Sequence, residues 1–261
     1  MTIMITNDDG LDYNGLYALK CELEGLDDVI VIAPVKEKSG VGKALSVKVK
    51  VEKLNLKDGS LAYGVYGTPA DAVLIGLTSI LKDKPKLLAS GINGGPNLGV
   101  EDFFNSGTIG AALEAALHGI PAFSISLAMR DVNYKDKLEV EDFKYAAKVA
   151  RVVAEWILEY GLPKDVLLIN VNVPEEPNGK VLLTRLANYS YKNIHVLVAN
   201  NTYEITKWKL DMYEDDTPGT DVWAIRRGYI SITPISIKGL DMIAHEELND
   251  LVKMLSSMVK V

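Results

Sequence analysis

At 261 residues, with 48% hydrophobic and 24% charged residues, the chain has the apolar mass for one large α/β domain, with or without a smaller appendage. A formal net charge of −7 excludes a duplex nucleic-acid binder driven by phosphate neutralisation, though not recognition of single nucleotides. Cys21 is the only cysteine, which excludes an intrachain disulfide and any cysteine-rich metal cluster.

Met1 to Ile5 is a short apolar, β-branched run, the mark of a buried strand in a parallel sheet. It is not a signal-peptide pattern, and no later apolar run reaches the roughly 20 residues that span a bilayer, so a cytoplasmic protein with no membrane partner is the default expectation. The run stops at Thr6-Asn7-Asp8-Asp9-Gly10. Two readings of that stop stand side by side. Asn-Asp-Asp-Gly is a turn whose side chains cap the next helix. Alternatively, the two acids gather at a strand's carboxyl end, where open α/β sheets bind ligands and where a cation or protons must offset the charge.

Leu16 to Leu26 has helical apolar spacing, and Val29 to Ala33 is a second buried strand ending at Pro34. This β-α-β opening predicts a right-handed crossover and a doubly wound sheet. The loop Lys36 to Lys43 then imitates two phosphate motifs and satisfies neither. Glu37 stands where a Walker loop needs glycine, and Ala44 where it needs Ser or Thr. Leu45 stands where a dinucleotide fingerprint needs its third glycine. Ser46 to Leu54 alternates as an amphipathic strand, with Leu61 to Val65 as its partner. Thr68 is placed to cap a helix that has Pro69 at its first position and runs to Ile80. Leu87 to Ser90 is the next short strand.

Seven of the chain's 21 glycines fall between Gly91 and Gly119. Gly91 to Gly99 reads as a loop rich in turn-formers and amides, with glycines that let backbone approach a ligand closely. Asn105-Ser106-Gly107-Thr108 leads into an alanine-rich helix over Ile109 to His118. Its start serves as an anion site, as a Ser106 or Thr108 N-cap, or as both together. Pro121 to Leu127 is a strand, Phe143 to Tyr160 a long amphipathic helix, and Val166 to Val173 a further strand. From Val181 the texture turns to strands and turns, including Thr202 to Trp208 and the β-formers of Thr220 to Ser236. His245 to Val259 is an amphipathic helix. The predicted organisation is a catalytic core over 1–174, a β-rich hairpin extension for oligomerisation over 175–238, and a helix within 239–261 that packs on the core or a partner subunit. His118, His195 and His245 share no metal-ligand spacing. No Gly-x-Ser-x-Gly elbow supports Ser-His-Asp hydrolysis.

Taken together, Ile5 to Gly10, the Ser39-Gly40 loop, Gly67-Thr68-Pro69-Ala70-Asp71, Ser90 to Gly99 and Ser106-Gly107-Thr108 resemble the SurE family of survival proteins, which are metal-dependent 5′(3′)-nucleotidases. Gly228 to Pro234 is similar to that family's C-terminal signature. The resemblance implies a Rossmann-like, doubly wound, mostly parallel sheet in three α/β/α layers, with the smaller β-rich extension and a homodimer or homotetramer built through it. It also implies one divalent cation held by Asp8, Asp9, Ser39 and Asn93. That all-oxygen donor set, with two negative charges, suits Mg²⁺ or Mn²⁺. Asn97, Ser106, Gly107 and Thr108 are the implied phosphate grip, and Asp8, Asp9 and Asn97 the catalytic group. The expected reaction is hydrolysis of nucleoside 5′- or 3′-monophosphates by metal-activated water, with an aspartyl-phosphate on Asp8 ranked second. The serine loop matches the family only loosely. Tyr13, Phe103 and Phe104 are the aromatics near the motifs. The competing functions are a noncatalytic nucleotide sensor and a Rossmann-type oxidoreductase.

Overall fold

The computed structural model describes residues 2–131, 137–189, 195–205, 210, 215–236 and 251. The helix expected at His245 to Val259 lies outside them.

Strand β1 (Thr2–Thr6), helix α1 (Asn14–Leu23) and strand β2 (Asp28–Pro34) form the expected β-α-β unit, with Ile3 beside Val29 in parallel register. The hairpin β3 (Val51–Asn55) and β4 (Leu61–Val65) extends the sheet beyond β2. Its first strand is shorter than its alternation suggests, because Ser46 is tied down by an N–H donated to Asp71 Oδ1 (2.9 Å). Next come α2 (Pro69–Ile75), a π turn over Gly76–Ile80, β5 (Leu87–Gly94), α3 (Gly99–Asn105), α4 (Gly107–Leu117) and β6 (Ala122–Ala128). After a 3₁₀ turn at Val140–Phe143 the chain forms α5 (Lys144–Tyr160), β7 (Val166–Pro174), β8 (Val181–Leu183), β9 (His195–Ala199), β10 (Thr202–Ile205), α6 (Asp221–Arg226) and β11 (Ile230–Ser236).

Among the described residues, nine strands form one sheet in the order β3-β4-β2-β1-β5-β6-β7-β11-β8. It is parallel except at β3–β4 and β7–β11. Each face carries its own core. On one side Leu16, Leu19 and Leu23 of α1 and Ala146, Ala150 and Ile157 of α5 bury against Ile3, Ile5 and Val171. On the other, Ala72 and Val73 of α2 and Ile109, Ala112 and Ala115 of α4 cover Met4, Leu88 and Leu168. The result is the expected three-layer α/β/α arrangement.

Four segments depart from the sequence reading, two of them early: β5 runs on to Gly94, into the stretch expected as a loop, and α3 follows at Gly99–Asn105. Val222, Trp223 and Ile225 favour strands, yet they lie in α6, because Thr220 accepts the Trp223 N–H and Asp221 sits in the first turn. Local capping outweighs a weak β preference there. Within the stretch 175–238, β11 and β8 join the main sheet, so the described hairpin that stands apart is β9–β10.

Thr68 and Asp71 form a reciprocal capping box at α2, as Thr68 and Pro69 predict. Burial alone would raise the Asp71 carboxyl, but the N–H groups of Thr68 and Ser46 outweigh it and hold it below its ordinary value. A carboxyl lowered in the folded state stabilises fully above its unfolded pKa of about 3.9, and that contribution is lost as pH falls through the lower folded value. Asp71→Asn should therefore cost about 1 kcal/mol at pH 7. In parallel denaturant titrations the gap from wild type should narrow below about pH 4.

Candidate functional site

β1 ends at Thr6, so Asp8 and Asp9 lie in a turn and not in the strand, where neighbours would face opposite ways. Asn7 closes that turn from both ends: its Nδ2 donates to Gly10 O (2.9 Å) and its Oδ1 accepts the Gly10 N–H (3.3 Å). Gly10 takes φ +109°, a conformation a side chain would strain. The turn thus converts a strand end into a platform for two carboxylates. The stretch is the expected turn, but no side chain in it caps α1, whose N-cap is Tyr13 with no side-chain bond; Asn7 binds within the turn, and Asp8 reaches a helix far along the chain.

That helix is α4. Thr108 donates its hydroxyl to Asp8 Oδ1, and Asp8 is only 3% exposed. A methyl group on Gly107 would meet Asp8 Cβ at 2.8 Å and Asp8 Oδ2 at 3.0 Å, so the carboxylate sits flush on the helix mouth. Ser106 is the N-cap, its hydroxyl accepting the Ile109 N–H (3.1 Å). The N–H groups of Gly107 and Thr108 belong to the first turn, which has no intrahelical acceptors. The Ser106 cap and the Asp8 carboxylate, held by the Thr108 hydroxyl, thus share one helix start, where the dipole favours negative charge.

Asp9 approaches from the other side, where Gly94 N–H points at its Oδ2 (3.4 Å). Asn93, near the end of β5, donates its amide nitrogen to Gly95 O (2.7 Å), which leaves Oδ1 as the atom an oxygen-seeking cation would use. Lys38 N–H donates to the carbonyl of Asp8 (2.6 Å), drawing the serine loop to the turn. Ser39 itself is exposed and donates its hydroxyl to Glu37 Oε1 (2.7 Å). The same loop is seated on α4 by Gly42 N–H to Asn105 O (2.8 Å) and by Lys43 paired with the buried Glu114. The structure therefore gathers Asp8, Asp9, Asn93, Gly107 and Thr108, and brings Ser39 up one residue beyond the anchored Lys38.

Asn97 lies in the loop between β5 and α3, almost buried, its Nδ2 on Ser126 Oγ (2.8 Å). Ser126 is also the register partner of Asn93, so both asparagines converge over β6. This loop is pinned throughout. Gly95 N–H meets Leu127 O, Leu98 N–H meets Asp102 Oδ2 (2.7 Å) and Gly99 N–H meets Asp221 Oδ2 (2.8 Å). Burial pushes the Asp221 carboxyl up, against the pull of the N–H groups of Gly99, Ala187 and Val222.

Sequence reasoning missed Asp221 and also the floor of the site. Thr6, Ser90, Ser124, Asn170 and Thr233 are successive register partners across β1, β5, β6, β7 and β11, all buried. A second row runs from Asn93 through Ser126 and Asn172 to Ser231. The first row lies two residues beyond Met4, Leu88, Ala122 and Leu168 of the α4-side core, on the same face. The hydroxyls of Thr6 and Ser90 have no partner among the described residues. The available signal was the polar residue at every second position in Ser124-Ile125-Ser126, Asn170-Val171-Asn172 and Ser231-Ile232-Thr233.

Among the described residues no three His, Cys, Asp or Glu side chains group as metal ligands, so any cation here takes two carboxylates and neutral oxygens. That donor set fits a hard divalent ion. His118 is paired with Glu114 (3.1 Å) and His195 is exposed on β9; His245 lies outside the described residues. Of the three aromatics, Phe103 is in the core, Tyr13 packs edge-on against Phe143, and Phe104 is 61% exposed two residues before Ser106. No helix among the described residues is long and apolar enough to cross a membrane.

A family model described as Survival protein SurE matches residues 3–193. A 5′-nucleotidase SurE from Archaeoglobus fulgidus is 44% identical over 239 residues, covering 91% of this chain and 92% of its own. Its counterpart from Methanosarcina barkeri is 38% identical over 263 residues, with 97% of each chain covered. The crystal structure of the SurE protein from Aquifex aeolicus superposes with a TM-score of 0.74 at 31% identity, covering 98% of this chain and 100% of that one.

Proposed function

The chain belongs to the SurE family and is a 5′-nucleotidase, and from that premise we propose that it hydrolyses nucleoside 5′- and 3′-monophosphates at the Asp8–Asp9 turn with one divalent cation. The observation that carries this reading is the Asp8 carboxylate lodged against the Gly107–Thr108 helix mouth with Asp9 beside it. Asp8, Asp9, the Asn93 Oδ1 and the Ser39 hydroxyl would hold Mg²⁺ or Mn²⁺. When bound, such an ion offsets the two carboxylates, polarises a phosphoryl oxygen and lowers the pKa of water at the site.

The chain's own groups do the rest. Amides of Gly107 and Thr108, backed by the α4 dipole, grip the phosphate oxygens that carry the growing charge, while Ser106, whose N–H is already donated to Asp102 O (2.8 Å), serves the grip as the N-cap of α4. Asn97, fixed over Ser126, orients the phosphate toward the acids. Water is the attacking group. Asp8, tied to Thr108 and pressed on Gly107, serves as an anchor before it can serve as a nucleophile. The hairpin β9–β10 exposes Leu197, Val198, Tyr203 and Ile205, a surface suited to a second copy of this chain in a homodimer or homotetramer.

The test is phosphate release from AMP, GMP, 3′-AMP and simple phosphate esters with Mg²⁺ or Mn²⁺. Release should stop in EDTA and return when the ion is restored. Turnover indifferent to EDTA removes the cation. Nucleotide binding without release turns the protein into a sensor.

A further inference from the structure

Asn170 and Asn172 lie on β7, where the same face two residues earlier buries Leu168. Apolar side chains would bury well there, and a buried amide costs stability unless each of its bonds is made. Here both amides bond the backbone of one residue, Asn97, on the N–H and C=O that flank its Cα. Asn172 Oδ1 accepts the Asn97 N–H (2.9 Å), and Asn172 Nδ2 donates to the Asn97 carbonyl (2.9 Å). Asn170 Nδ2 donates to that same carbonyl (2.9 Å), and its Oδ1 accepts the Ser124 hydroxyl (2.9 Å). The rest of the loop is held without them, by Leu127 O, Asp102, Asp221 and Ala187 O. Loosening β7's grip therefore frees Asn97 and leaves the loop's course intact.

We infer that Asn170 and Asn172 are positioning residues for the phosphate grip, acting through Asn97. They clamp its backbone on both sides while Ser126 takes one of its two Nδ2 hydrogens, so the second, the donor a phosphate oxygen can accept, is presented in one direction. This rests on the reading of Asn97 as a phosphate contact. A reacting group displaced by about 1 Å costs on the order of a hundredfold in rate, whereas a purely structural pair would act through melting temperature alone.

The experiment is a double-mutant cycle on the full-length, Mn²⁺-loaded enzyme, reading kcat and KM for AMP, the inhibition constant of inorganic phosphate, and Tm. Asn172→Leu should lower kcat about 10- to 100-fold and weaken phosphate inhibition about tenfold. Asn97→Ala added to it should cost less than about threefold more, because the residue it removes is already out of place. If Asn172→Leu does not fold, Asn170→Ala, which keeps both Asn172 bonds, runs in the same cycle with the same non-additivity expected. Effects that multiply independently, or unchanged kcat and phosphate inhibition in the β7 variants, overturn the inference. If Asn97→Ala alone changes neither constant, the failure belongs to the phosphate-contact reading.

Discussion

Asp8→Asn should lower kcat by about a hundredfold or more while the protein stays folded. A bound divalent ion contributes several kcal/mol of charge stabilisation in phosphoryl transfer, and each tenfold in rate is about 1.4 kcal/mol. Asparagine keeps the shape of Asp8 and can still accept the Thr108 hydroxyl. What it removes is one of the two negative charges at the turn, and with it most of the attraction for a hard cation. Relief of a buried carboxylate should hold Tm level or raise it slightly, so lost turnover would not be lost fold. The check is kcat at saturating Mn²⁺, an Mn²⁺ titration and a thermal melt. A variant that turns over at the wild-type rate would sink the assignment.

The second large effect is expected from a single methyl group. In Gly107→Ala the new Cβ would lie 2.8 Å from Asp8 Cβ, 3.0 Å from Asp8 Oδ2 and 3.1 Å from Pro69 Cγ. Contacts that short are relieved only by movement, and Pro69 is fixed in the first turn of α2. Asp8 therefore moves, and its hydroxyl partner on Thr108 is pulled out of line. Overpacking of this kind costs about 1–3 kcal/mol of stability. The loss in kcat/KM should be larger than that stability change suggests, about 10- to 100-fold, because the carboxylate and the phosphate amides are displaced together. Leu117→Ala, at the exposed far end of α4, is the control and should leave kcat/KM near wild type. Full activity in Gly107→Ala would mean that Asp8 has no need of the helix mouth.

How much of this was legible beforehand divides along physical lines. The sheet was readable because Val29 to Ala33 is a continuous apolar run, as a strand covered on both faces must be, and because Pro121 to Leu127 and Val166 to Val173 begin with such runs before their polar residues set in. Thr68 and Pro69 announced α2 because capping is local chemistry written in adjacent residues. Helix α3 was hidden in a stretch that begins with glycine and proline and whose first-turn acids, Glu101 and Asp102, carry no long apolar stripe. Helix α6 was hidden by residues whose strand preference tertiary context overrode. At the site, Asp8, Asp9, Asn93 and Thr108 stood out as motif residues. Asn170, Asn172 and Asp221 did not, since their partners in the Asn97 loop lie 73 to 122 positions away and only the folded register brings them there. Asn7 was legible as part of a turn, but its closing of that turn on itself shows only in the folded chain.

The two hydroxyl-and-amide rows beneath the site carry a cost for the fold itself. Every side chain in them withholds apolar area that, at roughly 25 cal/mol per Å², would otherwise tighten the sheet. The carboxyl-terminal half of the central strands is consequently the softer half, and native-state amide exchange should open it before the Met4–Leu88–Leu168 layer. Filling those rows with valine or leucine would harden the protein against heat, and would do so by dismantling the surface on which its chemistry stands.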